Sequence, residues 1–475
     1  MKTEKLLELF KASADKGPIS RREAIRLLGI SPIAASVIAS AGSGSYTEAE
    51  AIDVKGKILI VGGGSGAIMT LARLNRKISN PDITVIAPNE THLYQPGQVF
   101  VAAGLMKQED LQKPNSDFIA KNVNWIKDEV KSFDPDNNVV VTRCGQTVGY
   151  DYMIVATGVV NRFDKIAGLK EEDIGTNGIT SVYLSDLEKG TARGATATWD
   201  WYNDLKKAAK TKRPTVLYTQ PDTPIKCGGA PQKMLYLSAD YLKQDGLSAD
   251  YYFYTGLKKL FHLPKVDEEL TKVQKQYDKI ETKFSHFLRA IDVKAKKATF
   301  VHAYEKEVID EDFGEKMMQS FADEVVVKYD FIHVVPPMSP PEALEKSKLV
   351  NGEGWLDVDK YTLQHNKYKN IFGIGDVCGI PMGKTGGTAR HQSPIVMDNL
   401  LAVMQNKELK EKFDGYTVCP LKTQYGKILM AEFNYEGPKP TIPFIEYYKP
   451  RWMWWEFDRY MLEPMYWHLM LRGLF

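Results

Sequence analysis

Four cysteines, Cys144, Cys227, Cys378 and Cys419, hold the most distinctive chemistry in this chain. A thiolate is a nucleophile that forms and breaks disulfides. None of the four lies in a CxxC pair, so no metal cluster is expected. Their wide spacing suits a redox pair joined by folding, or plain buried thiols. Cys378 belongs to residues 370–388, NIFGIGDVCGIPMGKTGGT. Its apolar start reads as a short buried strand, and Gly375 and Asp376 stand at the carboxyl end. Ligands of open α/β sheets bind outside that end of the strands. A Gly-rich turn with Lys384 and Thr385 then leads into a helix expected from about Thr388, whose N-terminus favours negative charge. Cys227 lies in DTPIKCGGAPQK, in a loop after a strand expected at 215–221.

The elements that must position these residues read as α/β. Residues 55–74, KGKILIVGGGSGAIMTLARL, give a strand, a Gly-rich turn and a helix. Gly62, Gly64 and Ala67 fit G-x-G-x-x-G/A, with Gly66 in the same turn. That pattern lets a backbone approach a pyrophosphate. A second strand is expected at 83–86, but Ala87 stands where an acid would hold the adenosine ribose, which leaves Glu90 as the nearest candidate. YDYMIVATG, 150–158, is another buried strand closing on Thr157 and Gly158. With the fingerprint in place, Asp376 suits a carboxylate that bonds the ribityl hydroxyls of a flavin. The second expected unit has no glycine fingerprint. Pro221, Pro224 and Pro231 lack backbone donors, and Asp222 would repel phosphate, which argues against a nicotinamide site.

At 475 residues, two or three domains are expected. The hydrophobic content of 43% and charged content of 26% are those of a folded globular protein. A net charge of +2 gives no footprint for nucleic acid. No run of 18 apolar residues marks a spanning helix. Residues 1–51 read as an export signal: Arg21 and Arg22 precede an apolar stretch, and Ala49-Glu50-Ala51 is a small-residue cleavage pattern, as in the twin-arginine route. Residues 266–283 are expected to be helical, with strands near 298–302 and 324–327. Pro337 and Met338, in VVPPMSPP, either contact a ring or form a rigid connection. Cys144 lies among turn residues, and Cys419 is read as a buried, inert thiol in a strand. The C-terminus interleaves Trp452, Trp454, Trp455 and Trp467 with arginines, which suits a membrane headgroup interface or a helix pair packed on the protein.

Together these pieces resemble the sulfide:quinone oxidoreductases, in the branch with the mitochondrial enzymes. The resemblance runs from about Lys57 to the end, on VGGGSGAI, THLYQPGQVF, TPIKCGGAPQKMLYLS, VVPPMSPP, FGIGDVCGIPMGKT, DGYTVCPL and YWHLMLRG. It implies two tandem Rossmann-like dinucleotide-binding domains, bound FAD and a C-terminal membrane-associating region beside a quinone pocket. The implied division is a flavin domain in two parts, 55–165 and 331–420, a second Rossmann-like domain without a nicotinamide site at 166–330, and a quinone- and membrane-side region at 421–475. The resemblance also implies a cysteine pair, Cys227 carrying persulfide and Cys378 facing the flavin, although Val377 intervenes where relatives place the second cysteine directly after Gly-Asp. Gly62, Gly64, Gly66, Ala67, Glu90, Thr157, Gly158, Gly375, Asp376, Lys384 and Thr385 are the expected FAD contacts. Pro337, Met338, Tyr425, Trp452, Trp455 and Trp467 are expected on the quinone or membrane side. The implied partners are sulfide, membrane quinone and the membrane surface, with homo-oligomer formation open, and the implied location is the periplasmic face of the cytoplasmic membrane. The alternatives are a flavocytochrome-type sulfide dehydrogenase subunit, an NADH:quinone oxidoreductase and a non-catalytic sulfur-binding flavoprotein.

Overall fold

The computed structural model describes residues 51–186, 189–309 and 316–474. The expected export signal therefore lies outside the described residues, apart from Ala51. Two five-stranded parallel sheets organise the chain. In the first, the spatial order is Ile371–Gly373, Tyr152–Val155, Lys57–Val61, Asp82–Ile86 and Asn124–Ile126. Its strands are near-continuous apolar runs because helices and loops cover both faces. Ile58, Leu59, Ile60, Met153, Ile154, Val155, Ile371 and Phe372 are all buried. The helix Ser65–Lys77 is the first crossover and turns Ala67, Ile68, Leu71 and Leu74 inward.

The second sheet runs Ile179–Thr180, Phe331–His333, Thr215–Gln220, Asp250–Thr255 and Ile280–Phe284. The helix expected over 266–283 is Pro264–Gln274, and Ile280–Phe284 is a strand on the sheet edge. The β-branched and aromatic positions of IETKF won over the apparent helical period. The strands expected near 298–302 and 324–327 are two long partners, Lys297–Ile309 and Lys316–Lys328, paired antiparallel.

The chain crosses into the first sheet twice, so Ile371–Gly373 joins Tyr152–Val155 from a distant part of the sequence. After it, the helix Gly386–Met404 begins two residues earlier than expected, with Thr385 as its N-cap: the Thr385 hydroxyl accepts from the Thr388 N–H at 3.2 Å. A three-stranded antiparallel sheet, Thr417–Gln424, Lys427–Asn434 and Gly437–Pro438, follows. The C-terminus is a broken helical run, Trp452–Glu456, Phe457–Met461, Leu462–Met465 and Tyr466–Met470. Among the described residues, no helix is long and apolar enough to cross a membrane. The four C-terminal tryptophans are buried against the protein. Trp455 meets Phe100 edge-on at 5.6 Å, and Trp467 stacks on Phe118 at 5.7 Å.

Candidate active site

One cavity of about 1290 Å³ runs from the fingerprint turn to the C-terminal helices. That exceeds the usual small-ligand site of about 300–1,000 Å³, so a dinucleotide fits with space beyond it. Gly62 to Gly66, Thr157, Gly158, Gly375, Asp376, Lys384 and Thr385 line it. Two glycines show why the turn is built this way. A Cβ on Gly62 would stand 2.3 Å from the Ala156 carbonyl oxygen, so the turn closes only without one. A Cβ on Gly64 would meet no protein atom and would project into the space a ligand needs. The Thr157 hydroxyl, the Tyr94 hydroxyl and the Gln98 amide nitrogen are buried on this wall without a hydrogen-bond partner. Such orphaned groups are rare in folded proteins, and here they fit a polar ligand. The residues present therefore suit FAD. Ala67 does not line the cavity; it is buried and packs helix on strand.

Glu90 is not at the cavity. Its carboxylate is exposed and pairs with Lys127 at 2.7 Å. Glu129 and Arg143, paired at 2.6 Å, line the cavity, as do Pro88 and Asn89. Of the residues expected on the quinone side, Trp452 lines the cavity and Trp455 and Trp467 lie behind its wall. Tyr425 also lies off the wall and donates to the Ala103 carbonyl at 2.9 Å. Pro337 accepts from the Arg162 N–H, and Met338 pairs with Asn161 in a two-stranded ladder; neither reaches the cavity.

The thiols sort differently from the sequence reading. Cys227 lines the cavity, in a left-handed conformation (φ +52°) that a non-glycine residue adopts only at a cost. Its backbone is held at both ends: its N–H donates to Lys384 and its carbonyl accepts from Ala230, both at 2.7 Å. The helix Ala230–Lys243 then brings Lys233 back, and its ammonium donates to the Cys227 sulfur at 2.9 Å. Across from it, the strand Thr417–Gln424 turns Cys419 toward Gly229, where a Cβ would lie 2.8 Å from the Cys419 sulfur. The Cys419 sulfur thus lies against the Cys227 loop. The neighbouring thiol and the Lys233 ammonium hold Cys227 well below the ordinary thiol range despite its burial. The Cys227 sulfur, together with burial, pushes Cys419 up. With the ammonium on its sulfur, Cys227 is the one of the two that favours the thiolate. Burial alone would lower the Lys233 ammonium, but the two sulfurs outweigh it and raise it.

The expected Cys227–Cys378 pairing is not what the fold brings together. Cys378 is fully buried in a separate apolar cluster with Leu356, Val358 and Val377, off the cavity wall. Burial pushes its thiol up to about 12. With Val377 ahead of it, Cys378 turns behind the strand, and only its carbonyl reaches the site, accepting from Lys384 at 3.2 Å. Cys144 is exposed and remote. Lys226, Lys233, Lys384 and Lys422 all line the cavity against the carboxylates of Asp376 and Asp458. Burial lowers Lys226, Lys384 and Lys422 and raises Asp376. Sequence reasoning missed Lys233, Cys419, Lys422 and Asp458 as a group. The only signal was that Lys233 lies six residues after Cys227, on the next helix face.

Residues 56–193 match the family described as pyridine nucleotide-disulphide oxidoreductase. The chain is 36% identical to the mitochondrial sulfide:quinone oxidoreductase of Dictyostelium discoideum, over 92% of this chain and 90% of that protein. It is 34% identical to the Mus musculus protein of the same name, over 88% and 86%. Its fold is similar to that of the sulfide:quinone oxidoreductase of Aquifex aeolicus, with a TM-score of 0.66 and 22% identity over 88% of this chain and 92% of that one. This chain is an FAD-dependent oxidoreductase and belongs to the sulfide:quinone oxidoreductase family.

Proposed function

We propose that this protein oxidises sulfide to zero-valent sulfur at Cys227 and Cys419 and passes the electrons through FAD to a membrane quinone. The observation that carries the reading is the Lys233 ammonium on the Cys227 sulfur, with the Cys419 sulfur against Gly229 of the same loop, beside the wall that holds the dinucleotide turn. In the oxidised pair, hydrosulfide attacks one sulfur. The S–S bond breaks, a persulfide forms at the attacked sulfur, and the bond's electron pair leaves on the other as a thiolate. The better leaving group is the thiol whose anion is better held, which is Cys227 with the Lys233 ammonium on its sulfur. Persulfide therefore forms on Cys419 and the thiolate on Cys227, the reverse of the role expected for Cys227 from resemblance. Lys233 holds that thiolate, and Lys226, Lys384 and Lys422 favour anions in the cavity. FAD, when bound, supplies the acceptor for the electron pair and its onward transfer to quinone.

The domain division given above serves this reading. Residues 55–165 and 331–420 hold FAD, 166–330 carries Cys227 in place of a second cradle, and 421–475 forms the quinone side. There the cavity is lined by Trp452, Met453, Phe457, Met461, Leu462 and Met465. Exposed Phe444 and Leu474 support attachment to a membrane surface. The twin-arginine reading of residues 1–51 would place that surface on the periplasmic face.

Anaerobic titration of the FAD-loaded protein with sulfide tests the function. The flavin should bleach, and added quinone should restore its colour. Bleaching by micromolar NADH with no response to sulfide would point instead to an NADH:quinone oxidoreductase.

A further inference from the structure

The C-terminal segment touches the thiol site through one buried ion pair. Lys422 lies on the strand that carries Cys419 and faces the cavity beside Val418 and Pro420. Its ammonium donates to the carboxylate of Asp458, in the turn Phe457–Met461, and both side chains are 2% exposed. The Phe100 ring lies 4.6 Å from the same ammonium. The strand thus presents Cys419 toward Gly229 and the helix behind it, and presents Lys422 toward the C-terminal segment. A buried charge is costly unless paired, so each member holds the other in place. A buried pair is also weak evidence for stability, because apolar residues of similar volume would often do as well. The pair lines the same cavity as Cys227 and Lys233, and Lys422 lies three residues from Cys419 on one strand.

We propose that Asp458 and Lys422 are positioning residues for the thiol site, and that through this pair the C-terminal segment sets how firmly Cys227 is held as a thiolate. The proposal rests on the reading that Cys227 is the working thiol. Lys422 and Lys233 are two cations in one dry neighbourhood, where charge acts over longer distance than in water. Asp458 neutralises the first and leaves the second to the sulfur. The groups that bear on Cys227 can be named by element. Lys226 and Lys233 come from its own loop and helix, and Cys419 and Lys422 come from the strand. Asp376 and Lys384 come from the flavin-side loop. Tyr183 donates to the Cys227 carbonyl at 3.4 Å. Lys422 lowers the Cys227 thiol, and Asp458 acts back on both Lys422 and Lys233. A C-terminal segment that shifts, as on docking to a membrane or taking up quinone, would change this balance without touching either sulfur.

The test reads the rate of Cys227 alkylation by iodoacetamide against pH, in the full-length, FAD-loaded and pre-reduced protein, by peptide mass spectrometry. Asp458→Asn leaves Lys422 without its counter-ion and should move the midpoint down by about one pH unit; Lys422→Met should move it up by a similar amount. A purely structural pair would move both variants the same way, or neither. Because breaking a buried pair can prevent folding, the charge swap Lys422→Asp with Asp458→Lys is the second arm. It keeps the pair but places a carboxylate on the cysteine strand, and it should raise the midpoint. A midpoint unchanged in the swap, or single variants that shift in the same direction, would overturn the proposal. No sulfide or quinone is present, so the result stands apart from whether the protein oxidises sulfide. Normal flavin bleaching by sulfide with unmoved midpoints would remove only this inference.

Discussion

Cys419 and Cys378 are both buried thiols, each backed by a glycine and each close in sequence to a segment that lines the cavity. Their neighbours separate them. Cys378 is enclosed by Leu356, Val358 and Val377, and burial pushes it up to about 12. Cys419 faces a second sulfur with an ammonium on it. A buried thiol in apolar surroundings is inert, whereas one beside a cation-held thiol has the neighbour that the redox couple proposed above requires. Burial therefore says little about a cysteine's role until the group across from it is known.

Serine substitution should give the largest effect. Cys227→Ser and Cys419→Ser should each lower sulfide-driven quinone reduction about a hundredfold or more, on the order of 3 kcal/mol of barrier, with FAD retained. Cys378→Ser and Cys144→Ser should stay within a few-fold. Normal turnover in Cys419→Ser, with loss in Cys378→Ser, would reverse the comparison.

The two backing glycines sharpen it. A Cβ at Gly229 would lie 2.8 Å from the Cys419 sulfur and 2.3 Å from Leu421; one at Gly373 would lie 3.0 Å from the Cys378 sulfur and 2.4 Å from Leu356. Both alanine variants should lose about 1–3 kcal/mol of stability by overpacking, read by denaturant midpoint. Gly229→Ala should also lose sulfide oxidation, because it pushes Cys419 off Cys227. Gly373→Ala should keep its turnover per folded molecule. Equal activity losses would mean that the two thiols are not functionally distinct.

Lys233→Met isolates the charge. It should raise the pH at which sulfide reduces the flavin and slow that step about tenfold at pH 7, about 1.4 kcal/mol. No comparable effect is expected from changes around Cys378, where the Lys384 ammonium bonds the backbone carbonyl and not the sulfur.

The smallest effect concerns the segment that covers the Cys419 strand. His92 is buried, 2.6 Å from the Tyr466 hydroxyl and 3.1 Å from Asn115. Burial lowers it from 6.5 to about 4, against the raising effect of Asn115. The unfolded chain then binds more protons than the folded one between those values, so stability rises with pH there and is lost on acidification. From pH 8 to pH 6 this group should cost roughly 1 kcal/mol, and His92→Gln should flatten that slope in thermal melts. An unchanged slope would mean that His92 is not the group that weakens this anchor in acid.

Much of the flavin side was legible because its signals are local. The strand–glycine–helix of 55–74, the Thr157-Gly158 closure and the Gly375-Asp376 strand end each lie within one short stretch, and all line one cavity. The second sheet's lack of a glycine fingerprint was equally local. Glu90 shows where that reading stops: its place near the second strand was right for a ribose contact, yet Lys127, on the neighbouring edge of the sheet, takes its carboxylate.

The sequence by itself determined the α/β repeat, the dinucleotide turn and the presence of a cysteine in the second unit's first loop. These follow from hydrophobic period, from glycines at fixed spacing and from missing donors, all properties of neighbouring residues. Only the tertiary structure decided which sulfur Cys227 meets. Strand alternation turns Cys419 to one side and Lys422 to the other, and the inserted Val377 leaves Cys378 behind its strand. Cys227 and Cys419 are nearly two hundred positions apart, and nothing in the local pattern at either encodes the approach of Cys419 to the Cys227 loop. It arises because the antiparallel sheet after the flavin domain packs against the helix that begins at Ala230.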